Sequence, residues 1–160
     1  MSTKLINDNK KEYGDLYQQH LFDQYKLYID SADKISERRQ TANNYFITIN
    51  TLLISFVGIV SNNTKFATNN NWVVVVGITG LLICFFWYIL ISSYKQLNSG
   101  KFHLIHEIED KLPLNIYKHE WSVLKEGKDR KTYYPFSHVE IHIPKVFGLI
   151  YILFLVFSFC

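Results

Sequence analysis

Apolar and polar positions separate along this chain into three uncharged runs set in polar sequence. The clearest is Trp72–Ile91, WVVVVGITGLLICFFWYILI, which carries no charge over its whole length. At helical rise it spans about 30 Å, the thickness of a bilayer's hydrocarbon core. Trp72 stands at one end and Trp87, Tyr88 and Tyr94 near the other, where interfacial aromatics gather. Tyr45–Val60 is shorter and contains Thr48, Asn50, Thr51 and Ser55. A buried core helix could read the same way, but the short polar link 61–71 ties this run to an evident membrane span. Val146–Cys160 follows Pro144, and proline suits a first helical turn because its missing N–H is no loss there. This third run covers only about 22 Å, so a crossing here calls for a thinned bilayer or a helix with little tilt.

The pattern predicts an all-α integral membrane protein with two to three transmembrane helices, long cytoplasmic helical extensions and an oligomeric state. The segments are a cytoplasmic amphipathic helix 1–44, membrane helices 45–60 and 72–94 around an external loop 61–71, a cytoplasmic helical region 95–143, and a third membrane helix 144–160. Lysine and arginine set the orientation. Lys26, Lys34, Arg38 and Arg39 precede the first span, nine basic residues run from Lys95 to Lys145 inclusive, and the 61–71 link has only Lys65. The amino terminus and the 95–143 region are therefore expected in the cytoplasm, with the carboxyl terminus outside.

No Gly or Pro occurs between Gly14 and Gly58, so one helix can run from Asp15 through the membrane. In its polar half Leu21, Tyr28, Ile35 and Ala42 recur every seventh residue with Tyr25 and Ala32 beside them, an amphipathic stripe of coiled-coil period. Packing against the 95–143 region and self-association or trigger contact through Leu21, Tyr25, Tyr28 and Ile35 are both open. The second long helix is expected to reach about Lys111 and to end before Pro113. A shorter helix is expected over Asn115–Lys125, and Gly127 with Lys128, Asp129 and Arg130 reads as an exposed turn. Ser137 and Glu140 have capping-box spacing.

Composition narrows the chemistry. Charged residues make up 19% and aromatic residues 16%, and the net charge of +3 comes from mixed signs, which gives no nucleic-acid-binding surface. Two cysteines, one of them inside an apolar run, do not make a disulfide framework. The first 44 residues hold no apolar signal-peptide core. His138 and His142 share a helix face, but zinc needs a third ligand and Glu140 points elsewhere; His103 and His106 are a weaker pair. Glu107, Glu109, Asp110 and Lys111 read as a solvated charged face. No nucleophile motif or phosphate loop occurs. Neither an enzyme nor a cofactor or metal is expected. Asn62-Asn63-Thr64 is a glycosylation sequon, which matters only in a secretory pathway.

The first membrane helix carries the informative feature. At about 100° per residue, Thr48, Thr51, Ser55, Gly58 and Asn62 all fall within about 40° of Asn44, as do Glu37 and Gln40. Phe46, Leu53, Ile54 and Val57 lie opposite. Asn50 lies off the line and needs a partner on another helix. Such a stripe can be packing glue, with Gly77, Gly80 and Cys84 offering a groove on the second helix to receive it. It can instead line water, because polar groups facing lipid are unfavourable. A pore would require an oligomer with first helices around a common axis.

Arg38-Arg39-Gln40-Thr41-Ala42-Asn43-Asn44-Tyr45-Phe46 followed by Ile49-Asn50-Thr51 resembles the entry to the first membrane helix of the RipA-family octameric membrane proteins. Trp87-Tyr88, Tyr94 to Phe102, Glu107 to Pro113, and Trp121 with Gly127-Lys128 resemble the same family, and the likeness runs from about Tyr25 to the carboxyl terminus. The plan is also broadly that of two-helix SLATT-type effectors. The resemblance implies bacterial antiphage defence: assembly on a ring-shaped phage protein (portal or small terminase), followed by pore formation that kills the infected cell.

The expected function is thus an oligomeric pore-forming effector in the bacterial inner membrane. Asn44, Thr48, Thr51, Ser55 and Gly58 form the pore-lining or packing stripe, and Arg38, Arg39 and Gln40 the cytoplasmic border. Its partners are the bilayer, other copies and a phage ring, with no nucleic acid. The alternative is a structural or adaptor protein whose cytoplasmic helices dock a partner. A transporter subunit is disfavoured because no ionisable side chain lies in the three apolar runs.

Overall fold

The computed structural model describes residues 5–6, 10–61 and 71–159, and these contain helices and turns but no strand. A single helical turn, α1 (Lys10–Tyr13), precedes α2 (Tyr17–Ser61). Then come α3 (Asn71–Glu109), α4 (Ile116–Val123), a 3₁₀ turn (Lys125–Gly127), α5 (Phe136–Glu140) and α6 (Ile143–Phe159). At 45 and 39 residues, α2 and α3 extend about 67 and 58 Å, far beyond a bilayer core. Each runs unbroken out of its apolar segment, because no Gly or Pro interrupts α2 over residues 15–57 and α3 meets none after Gly80 until Gly100. The sequon and Lys65 lie outside the described residues, as do Asn62 and Cys160.

The middle helix organises the rest: α3 packs against α2 along one side and against α6 along another. Three helical stretches, Tyr17–Val60, Trp72–Glu109 and Phe136–Ser158 (α5 together with α6), are long and apolar enough to cross a membrane. Their outer faces are apolar, with Leu52, Phe56, Ile59, Phe85, Phe86 and Leu149 all exposed. Buried polar groups, by contrast, lie in the seams between helices. That inversion suits a hydrocarbon surround, where apolar surface costs nothing and polar groups must find partners inside.

Gly77 and Gly80 correct one expectation. Their groove receives α6, not α2: a Cβ on Gly80 would stand 2.4 Å from the Tyr151 ring, and one on Gly77 2.7 Å from Leu155. A ring needs a missing side chain opposite it to let two helix backbones approach, and α6 brings Tyr151 to that spot. Cys84, the third member of the expected groove, does face α2.

Outside the apolar segments, Tyr25 and Ala32 of α2 pack against Ile105 of α3, with Tyr28, Ile29, Phe102, Ile108, Leu112 and Tyr117 around them. Pro113 lies just beyond α3, and α4 folds back beside its end. The capping-box expectation fails, since Pro135 occupies the N-cap of α5 with no side-chain cap bond. Gly127 has φ +65°, and a Cβ there would meet Pro135 at 2.9 Å, so both backbone and space demand glycine.

Candidate functional site

All five stripe residues of α2, Asn44, Thr48, Thr51, Ser55 and Gly58, are exposed on the protomer. They share one face because successive residues advance about 100°, and that face points away from α3 and α6. Packing inside the protomer therefore does not use the stripe. A Cβ on Gly58 would meet nothing within 4 Å. The Thr48 hydroxyl donates to the Asn44 carbonyl one turn back, at 2.9 Å, which satisfies that hydroxyl within its own helix.

The packed face lies about 120° round the same helix, and polar bonds hold it. Asn50 is fully buried; its Nδ2 donates to the Phe46 carbonyl at 2.8 Å, and its Oδ1 accepts from Cys84 Sγ at 3.5 Å. Its backbone carbonyl accepts from the Tyr151 hydroxyl at 3.4 Å, so one residue ties α2 to both other spans. Trp87, expected near the interface as an aromatic anchor, is wholly buried instead. Its Nε1 donates to Asn43 Oδ1 at 2.9 Å, and its indole stacks on Phe46 at 5.6 Å and 9°.

At the lower border, Arg38 and Gln40 are exposed. Arg39 instead reaches across to Glu140, Nε to Oε2 at 3.2 Å, with the carboxylate side chain 2% exposed. The contact is an ion pair without the alignment of a hydrogen bond. It fastens the segment entering α6 to α2 just below the stripe, and it explains why Glu140 caps nothing.

Further from the membrane Glu107, Asp110 and Lys111 are exposed as expected of a solvated face, but the carboxylate of Glu109 is buried, 1% exposed, which corrects that expectation at this one residue. It accepts from the Tyr25 hydroxyl at 2.7 Å and from the backbone N–H groups of Tyr117 and Lys118, both at 2.9 Å. Two free amides of the first turn of α4 are thereby satisfied from another helix. Burial, with the Glu109 carboxylate next, holds the Tyr25 phenol well above its ordinary range. Asp110, by contrast, is exposed, and Lys118 holds its carboxyl below the usual value.

Tyr25 is thus occupied inside the protomer and is not free for the subunit or trigger contact expected of it. Tyr28 packs against the same core, while Leu21 and Ile35 are half-buried. Among the described residues no three His, Cys, Asp or Glu side chains could jointly hold a metal ion. Glu109, Glu140, Asn43 and Trp87 are the residues a reading of the chain alone did not bring together. Each is paired with a group 44 to 101 positions away or, for Glu109, also with amides of a helix it does not belong to.

A family model described as the octameric membrane protein family (8xMP) matches residues 22–160. No curated protein and no solved structure matches the chain.

Proposed function

The chain belongs to the octameric membrane protein family, and from that premise we propose that it is a pore-forming effector whose copies turn the α2 stripe toward a shared aqueous axis. One observation carries this reading. The protomer leaves Asn44, Thr48, Thr51, Ser55 and Gly58 exposed on a surface that is otherwise apolar. Hydroxyl and amide groups facing hydrocarbon cost free energy, so this face calls for either water or a neighbouring subunit. A ring of copies supplies both, with the stripe lining the lumen and flanking residues meeting the next helix.

The resemblance in residues 38–51 and 87–128 supports the rest of the proposal: antiphage defence in the bacterial inner membrane. The amino terminus and residues 95–143 then lie in the cytoplasm, with the carboxyl terminus outside. Clustering on a multivalent phage ring (portal or small terminase) would raise the effective concentration of protomers and drive assembly.

A voltage-sensitive dye in bacteria expressing the chain, with and without phage infection, tests the reading. Collapse of potential upon infection supports a triggered pore. Thr51→Leu/Ser55→Leu is expected to insert normally and to abolish that collapse. Killing that persists in the double variant means that the stripe lines no pore. A stable complex with an undisturbed potential favours the adaptor.

A further inference from the structure

Where α3 leaves its apolar span and α6 enters its own, the chain gathers positive charge. Lys95 follows the Trp72–Ile91 run, and Lys145 immediately precedes the Val146 run. Lys145 Nζ sits 5.2 Å from the centroid of the Tyr88 ring, bringing the start of α6 against the end of the α3 span. The Arg130 guanidinium lies 5.2 Å over Tyr134, whose ring is 5.8 Å from that of His138. His138 lies on α5, which packs against α6, and burial, followed by the charges of Lys95 and Arg130, lowers its imidazole below the ordinary range. Residues from α3, the loop before α5, α5 itself and the head of α6 therefore share one basic band.

The nearby carboxylates do not neutralise it. Asp129 is engaged by Lys125 at 2.7 Å and Glu126 by Lys128, while Glu140 is buried against Arg39. Among the described residues no carboxylate makes an ion pair with Lys95, Arg130, Lys131 or Lys145. Tyr133, Tyr134, Phe136, Val139 and Val146 are exposed along the same segment. Cations without carboxylate partners, set among exposed rings and aliphatics, suit an interface better than bulk water. At the end of two spans that mixture fits the headgroup layer, where rings sit at the boundary and cations meet phosphate.

We propose that this band at the junction of α3 and α6 binds the phosphate of an anionic phospholipid, with Lys95, Arg130 and Lys145 supplying the charge and Tyr134 and Phe136 seated at headgroup level. The lipid would brace α6 against α3 from outside, whether or not the stripe lines a pore. Each basic residue near an anionic surface contributes about fivefold in affinity.

Native mass spectrometry of the full chain in mild detergent tests this, with phosphatidylglycerol or phosphatidylcholine of the same acyl chains. The wild type is expected to retain phosphatidylglycerol with a preference of roughly tenfold or more. Lys95→Gln/Arg130→Gln/Lys145→Gln should erase the preference, and the charge-keeping Lys95→Arg/Arg130→Lys/Lys145→Arg should restore it. Equal retention of the two lipids by the wild type overturns the proposal, whatever the variants do. Displacement of the lipid by millimolar glycerol phosphate also overturns it, in favour of a soluble-anion site.

Discussion

One helix of this protein presents two opposite solutions to the same problem. On the seam facing α3, polar atoms are buried and joined across helices: Asn43 to Trp87, Asn50 to Cys84 and Tyr151, Arg39 to Glu140. About 120° away, the stripe from Asn44 to Gly58 has similar side chains left exposed on the protomer. Polarity alone therefore does not say what a membrane residue is for. A polar group with a partner inside the protomer belongs to the fold, whereas an equally polar group left outside belongs to whatever the protomer meets next.

The contrast can be broken most forcefully at the seam. Trp87→Ala removes the buried indole, creates a cavity beside Phe46 and strands Asn43. A loss of about 3–5 kcal/mol is expected, read as a large drop in the thermal transition of the detergent-solubilised protein. Glu109→Ala comes next, at roughly 3 kcal/mol, because a buried charged acceptor of three bonds is deleted. Faster amide exchange confined to α4 and the end of α3 would identify it. Gly80→Ala forces Tyr151 to move and is expected to cost about 1–3 kcal/mol, with Tyr151→Leu in the same chain recovering part of it.

Arg39 and Glu140 sharpen the comparison through non-additivity. Either single neutralisation leaves a poorly solvated charge, whereas removing both is expected to cost less than the sum, which a double-mutant cycle in thermal stability would show. The smallest effect belongs to the stripe: Thr51→Leu should change protomer stability by less than about 0.5 kcal/mol, as exposed substitutions do. A loss as large as that at Trp87 would mean that the stripe is also a structural seam.

Much of the architecture is legible in the chain. The first two uncharged runs fall within candidate spans and the third lies within its own as far as Ser158, the gap between Gly14 and Gly58 allows one long helix, and Pro113 lies just past the end of α3. Asn50 shows how far local reasoning reaches. Its angle marks it as needing a partner, and the structure supplies Cys84 and Tyr151. What periodicity does not contain is which helix fills a groove. Gly77 and Gly80 announce close approach, but only the register of α6 brings Tyr151 and Leu155 opposite them. Glu109 misleads for the same reason: three neighbouring charged residues suggest solvent, and only the return of α4 and the reach of Tyr25 bury it.

The unbroken course of α2 has a mechanical consequence. A 45-residue helix without an internal Gly or Pro before Gly58 has no joint in which to dissipate torque. Its far end is clamped through Tyr25 to Glu109, and its middle through Arg39 to Glu140. Rotation of Thr51 and Ser55, about seven and eight turns beyond Tyr25, therefore requires both clamps to yield together.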